Sequence, residues 1–98
     1  MKVKIAEDAS QDLINGYNFY EEQEPGVGEY FLDSLFSSID SLIIYYGIQQ
    51  KFYGKYFRML SRTFPYAIYY SHDEEIIYIH SVLDVRQNPT FIKHRLED

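Results

Sequence analysis

The 98-residue chain has no cysteine and no tryptophan. Without thiols there is no disulfide framework, no thiolate nucleophile and no cysteine-ligated zinc. Secreted domains of this size generally need staples, so the lack of cysteine favours the cytoplasm. Long apolar runs are missing too, and none approaches the roughly 20 residues that cross a bilayer. Met1 to Ala9 is charged and poor in apolar side chains, unlike a signal peptide. Glycine and proline are sparse, at five and three residues. Gly26 and Gly28 fit neither a P-loop nor a dinucleotide fingerprint. His72, His80 and His94 have no metal-ligand spacing, so no metal and no cofactor is expected. Bases are outnumbered, nine Lys and Arg against fifteen Asp and Glu, for a formal net charge of −6. Taken whole, that balance argues against indiscriminate binding of nucleic acid.

What is present is apolar and aromatic. Hydrophobic residues make up 46% of the chain, enough for a core, and the length fits a single domain over residues 1–98. Eleven Tyr and seven Phe suggest a fold with one half-wet, aromatic-rich face, because a Tyr fills a core while its hydroxyl reaches water or a partner. Charge is unevenly spread. Residues 1–40 carry nine acids and two bases, whereas residues 41–71 carry Lys51, Lys55, Arg58 and Arg62 and no acid. Arg86, Lys93 and Arg95 follow amid six acids.

The order of hydrophobic periods predicts the elements. Lys2 to Ile5 alternates as a short strand. Asp8, with Gln11 three residues on, has capping-box spacing. Leu13, Tyr17 and Tyr20 then form the stripe of a helix over about 9–23. Pro25-Gly26-Val27-Gly28 breaks it. A second helix, about 29–46, carries Phe31, Leu35, Ile39, Leu42 and Tyr46, widened by Leu32, Phe36 and Ile43, and Gly47 suits the left-handed position after its end. From there the period becomes two, with strand-like runs at about 52–62, 66–71 and 75–84, and Thr90 to Leu96 reads as a short final helix. The expected fold class is α+β, ordered β-α-α-β-β-β: a helical hairpin packed on one face of a small, four-stranded antiparallel sheet. The other face is expected to be free. Strand order and oligomeric state stay open.

Alternation then sorts side chains into faces. Phe57, Met59, Ile77, Ile79 and Leu83 read as core. Tyr56, Arg58, Leu60 and Arg62 lie opposite, as do Tyr78, His80, Val82, Asp84 and Arg86 if the last strand stays regular. If these mixed faces coincide, Arg58, Arg62, His80, Asp84 and Arg86 gather on one surface able to grip a phosphate or a peptide's carboxylates. The plainer reading is a solvated sheet face in which the arginines pair with Asp84 or Glu75. His80 is a candidate general base, and Asp84 a candidate to orient a base or hold an arginine. As plain structure, His80 is a half-buried strand histidine and Asp84 an ordinary strand-end residue.

Three motifs then stand in order. They are Tyr56-Phe57-Arg58-Met59-Leu60, Phe64-Pro65-Tyr66-Ala67-Ile68-Tyr69-Tyr70, and Ile79-His80-Ser81-Val82-Leu83-Asp84-Val85-Arg86-Gln87-Asn88-Pro89. This succession resembles the strand motifs of the RelE/ParE superfamily, toxins of type II toxin–antitoxin systems in the plasmid stabilisation family. The resemblance implies a hairpin-on-sheet fold and a cognate antitoxin whose C-terminal segment wraps the toxin. It also implies one of two targets. RelE-like members cut mRNA at the ribosome without a metal, and here Arg58, Arg62 and Arg86 would hold the scissile phosphate, with His80 and Asp84 as weaker catalytic candidates. ParE-like members instead bind DNA gyrase and perform no accepted chemistry. Asp84 stands where many nuclease members have His, and the chain is acidic, so the gyrase reading comes first. A non-toxic, partner-binding relative is a further alternative. Residues expected to meet the antitoxin or target are Lys51, Lys55, Arg58, Leu60, Arg62, Tyr78, Val82 and Arg86, with the antitoxin over the mixed sheet face. The three arginines are expected to matter more than His80.

Overall fold

Side-chain period and turn chemistry account for most of the elements in the computed structural model, which describes residues 1–52 and 54–97. They run β1 (Lys2–Ile5), α1 (Glu7–Gln23), α2 (Val27–Tyr45), β2 (Lys51–Phe52), β3 (Tyr56–Leu60), β4 (Tyr66–His72), β5 (Ile76–Asp84) and α3 (Pro89–Glu97). The α1 helix starts earlier than Asp8. Ala6 is its N-cap and makes no side-chain cap bond. The Ala6 N–H instead donates to the Ile79 carbonyl at 2.9 Å, so strand pairing sets the helix start. Glu7 and Asp8 fall in the first turn, where negative charge suits the helix dipole.

A tight turn folds α2 back on α1. Gly26 is left-handed (φ +94°) and caps α2. The Glu21 carboxylate accepts the N–H groups of Gly26 at 3.0 Å and Gly28 at 3.1 Å, placing an anion at the α2 N-terminus. A Cβ on Gly28 would sit 2.8 Å from the Tyr17 carbonyl oxygen, so the backbones of the two helices approach closely there. Gly47, at φ +82°, ends the second helix as expected.

The sheet has five strands in the order β1-β5-β4-β3-β2. Its β2 to β5 part is antiparallel, and β1 joins β5 in parallel, made possible by the hairpin crossover between them. The run expected as one strand over 52–62 is two, β2 and β3, joined by a tight turn in which Gly54 has φ +70°. Residue 53 of that run lies outside the described residues.

One bulge changes the face assignment. Tyr69 pairs with Ser81 and Tyr70 with Ile79, which leaves His80 as an extra residue in β5. Residues beyond it therefore swap faces. Ile77, Ile79 and Val82 point to the hairpin, while Leu83 points away, so the expectations for Val82 and Leu83 are both reversed. The hairpin-side core contains Phe31, Leu35, Ile39, Ile68, Tyr70, Ile77 and Ile79, each buried, with Phe57 half-buried against it and stacked on Tyr70 at 5.3 Å. Burying one such side chain contributes about 1.5–3 kcal/mol.

The opposite face is not free. On it α3 lays Leu96 over Ala67, Tyr69 and Leu83, flanked by Tyr56, Val85 and Ile92. A fork of charge-assisted bonds fixes that helix. Arg95 donates to both Asp12 oxygens at 3.0 and 2.8 Å, and Asp12 also accepts the Val82 N–H at 2.9 Å.

Candidate functional site

The basic residues singled out in the sequence are dispersed rather than gathered. Arg58 lies on the α3-covered face. Its guanidinium sits 4.9 Å from the centre of the Phe52 ring, in a cavity of about 150 Å³ walled by Tyr69, Val85 and Ile92. Its Nε is buried and makes no hydrogen bond among the described residues. Lys51 lies over the Phe57 ring at 5.2 Å, and Lys55 is exposed in the turn between β2 and β3.

Arg62 belongs to a different surface. It lies beyond the end of β3 and turns toward α2, lining a cavity of about 420 Å³ with Ser38, Ser41, Tyr45, Ile48 and Leu60. A second cavity of about 310 Å³, with Tyr30, Asp33 and Ser34 among its lining, adjoins the same arginine. Arg86 is tied down elsewhere. It donates to both oxygens of Asp84, at 3.0 and 2.8 Å, and its own backbone N–H reaches the same carboxylate. Those bonds hold the Asp84 carboxyl below its ordinary range. Burial pushes the neighbouring Tyr66 hydroxyl up to about 12, with Tyr20 and Asp84 adding to the effect.

His80 occupies the bulge. Its ring lies 4.4 Å from Tyr56, and Nδ1 is 2.8 Å from the Ser81 hydroxyl. Burial, and then the charge of Arg95, lower its pKa and favour the neutral ring. The cavity beside it is lined by Asp8, Phe91, His94 and Arg95, and by none of the three sequence-selected arginines. Tyr78 is exposed, with its hydroxyl 3.4 Å from Asp73. Val82 is buried on the hairpin side and offers no contact surface. The expected common surface of Arg58, Arg62, His80, Asp84 and Arg86 is thus not formed. The bulge turns β5 over, α3 covers one face, and Arg62 leaves the strand before it can share that face.

Two features went unseen in the sequence. The Asp12–Arg95 fork joins residues 83 apart, and no local pattern marks such a pair. The other is an apolar rim at the end of α2, where Ile44 and Ile48 are each 74% exposed and Tyr45 is 54% exposed. The periodicity did contain that signal, since Ile44 and Tyr45 fall off the buried stripe of Phe31, Leu35, Ile39 and Leu42. Among the described residues no group of three His, Asp or Glu is placed to hold a metal ion, and no helix is long and apolar enough to cross a membrane.

Comparison with known proteins agrees with this architecture. A search of curated protein sequences finds no significant match. Among solved structures, the chromosomal ParDE toxin–antitoxin system from P. aeruginosa superposes with a TM-score of 0.79 at 16% sequence identity. The match covers 88% of this chain and 97% of that one, and shows a shared fold. The family described as the ParE toxin of the type II toxin–antitoxin system parDE matches residues 3–89, nearly the whole of the chain up to α3. The chain belongs to the ParE toxin family of type II toxin–antitoxin systems.

Proposed function

We propose that the chain arrests growth in the cytoplasm by docking on a protein target, DNA gyrase, and is silenced when its cognate antitoxin covers it. The observation that carries this reading over RNA cleavage is the separation of the arginines. Charge stabilisation in phosphoryl transfer needs donors preorganised around one anion. Here Arg86 is held by Asp84, Arg58 lies over Phe52 beneath the α3 side, and Arg62 faces α2. Exposed aromatic and aliphatic residues mixed with single cations suit a protein partner, whose interfaces are enriched in Tyr, Phe and Arg. The family match supports the toxin role, and its parDE description supports an antitoxin partner.

The test sets two activities side by side. The purified chain is expected to inhibit gyrase supercoiling and to leave ribosome-bound mRNA intact. Cut mRNA with unimpaired supercoiling would overturn the proposal in favour of the RelE-like endoribonuclease. Loss of inhibition on adding the product of the neighbouring reading frame would identify the antitoxin.

A further inference from the structure

A cavity of about 320 Å³ lies between α1, α3 and the C-terminal end of β5. It takes no part in the docking proposed above. From α1 it is lined by Asn15 and Phe19, from β5 by Leu83 and Asp84, from the following turn by Gln87, and from α3 by Phe91. Pockets for small organic ligands begin at about this size, on the order of 300 Å³. The residues matched to the family end at 89, where α3 begins. The cavity therefore depends on a helix that lies almost wholly beyond the matched region.

Each helix brings one aromatic ring that is about half uncovered, Phe19 at 49% and Phe91 at 44% exposure. The Phe19 ring is steadied by an edge contact with Tyr20 at 5.0 Å. Such rings are stacking platforms for a flat, π-faced group such as a nucleobase. The charged groups of the cavity are already engaged. Asp84 accepts three bonds from Arg86, and Asp12 accepts two from Arg95 and one from the Val82 N–H. What remains is neutral. Asn15 Oδ1 accepts from Gln11 at 2.9 Å, which leaves its NH₂ to donate, and the Gln87 carboxamide makes no hydrogen bond among the described residues. A carboxamide presents a donor and an acceptor side by side, the complement of the N6 and N7 edge of adenine. Guanine, whose adjacent N–H donors suit a free carboxylate, finds none here. Two acids in the lining of a chain of net charge −6 also disfavour a polyanion.

We infer that the cavity between α1 and α3 binds the adenine base of a free nucleoside or nucleotide. The base stacks on Phe19 and Phe91. The Gln87 carboxamide accepts from the exocyclic amine and donates to N7, and the Asn15 NH₂ donates to a further ring nitrogen. Ribose and any phosphate point to solvent. Because the ligand touches both helices, it fastens α3 to α1 alongside the Asp12–Arg95 fork. The site is independent of the toxin's target and of its antitoxin.

The probe is adenosine, titrated into the whole chain while backbone amide resonances are followed. Asn15, Phe19, Gln87 and Phe91 are expected to shift and Arg62 to stay put, with a Kd on the order of 0.1 mM for a ligand of this size. Saturating adenosine is expected to slow amide exchange over residues 89–97 and to raise the melting temperature, since it binds only the folded chain. Inosine lacks the exocyclic amine and is expected to bind about tenfold more weakly. Gln87→Ala is expected to remove most of that preference without disturbing the fold, because Gln87 is exposed. Phe91→Ala is expected to weaken adenosine and inosine alike, by about tenfold, through lost stacking. Absence of shifts at several millimolar adenosine overturns the site, as does unchanged affinity in a folded Phe91→Ala variant. Equal binding of adenosine and inosine by the parent overturns adenine as the base. N-acetyltyrosinamide binding as tightly as adenosine overturns the nucleobase in favour of a protein side chain. A single strand of five deoxyadenylates that binds far more tightly than adenosine, and loses that advantage steeply with salt, overturns the free ligand in favour of nucleic acid.

Discussion

Phe31 sits where several rings meet. It stacks on Tyr20 at 5.3 Å and meets Phe64 and Tyr66 edge-on at 5.2 and 4.9 Å. Gly16 gives it room, since a Cβ there would come within 2.4 Å of the ring. Removing the ring leaves a void that α1 cannot fill without moving. Phe31→Ala is therefore expected to cost about 3–5 kcal/mol and lower the melting temperature sharply. A variant melting like the parent would refute this packing. His80 makes a second prediction at this scale. In the unfolded chain a histidine takes up its proton near pH 6.5, whereas in the folded chain burial delays uptake to lower pH. Between those two values the unfolded state binds more protons, so stability held above about 6.5 is lost as pH falls through the folded value. Urea unfolding at about pH 7 and pH 5 should show that loss in the parent. A His80→Gln variant should show less of it, and an identical pH dependence would exclude the assignment. Asp84, also shifted downward, acts at more acidic pH, below the carboxylate range, and does not confound this window.

Among the elements, the α3 helix tests how distant parts of the sequence are bound together. Asp12 is 9% exposed, and it carries both the Arg95 fork and the Val82 N–H. Truncating it leaves a mostly buried guanidinium without a counter-charge and a buried amide without an acceptor. Asp12→Ala is expected to destabilise the fold by about 3 kcal/mol. Amide exchange should also quicken in α3 first, because the fork is its main polar anchor. Unchanged exchange over residues 89–97 would show that Leu96 holds the helix without it. The same elements show what a sequence can and cannot disclose. Both helices and the meander were legible because Phe31, Leu35 and Ile39 repeat at helical spacing and Phe57 and Met59 at strand spacing. The faces of β5 were legible only as far as His80, since one extra residue reverses every later side chain and alternation carries no mark of the insertion. The start of α1 was missed because an alanine caps it through tertiary pairing to Ile79, where the local pattern favoured Asp8. The covered sheet face was missed because a nine-residue helix says nothing by itself about where it docks. Hence the gathered cluster of Arg58, Arg62 and Arg86, reasonable on a flat regular sheet, does not form.

At the scale of the whole molecule, that dispersal separates two ways of being toxic. A nuclease holding one phosphate between three arginines should lose activity about a hundredfold or more with any of them, since each would stabilise the same developing charge. A docking protein should lose activity unevenly, according to which arginine has a charge to spare for the target. Arg86 shares its charge with Asp84, and Arg58 is packed over Phe52. Arg62 is the one of the three with neither an ion pair nor a ring partner among the described residues, and it lies beside exposed Tyr45, Ile48 and Leu60. We therefore expect a graded series when the chain is induced without antitoxin. Arg62→Ala should need several-fold more toxin for the same growth arrest, as for loss of an interface arginine. Arg58→Ala should have a smaller effect, and Arg86→Ala and His80→Ala should arrest growth almost as the parent does. Each variant must first match the parent in melting temperature, because an arginine stem also contributes packing. Equal and complete loss in all three arginine variants would restore the phosphate clamp, and loss in His80→Ala alone would point to acid–base catalysis at the bulge. Parent and variants that all permit normal growth, in a host whose gyrase the chain binds in vitro, would leave a partner-binding relative that no longer arrests growth.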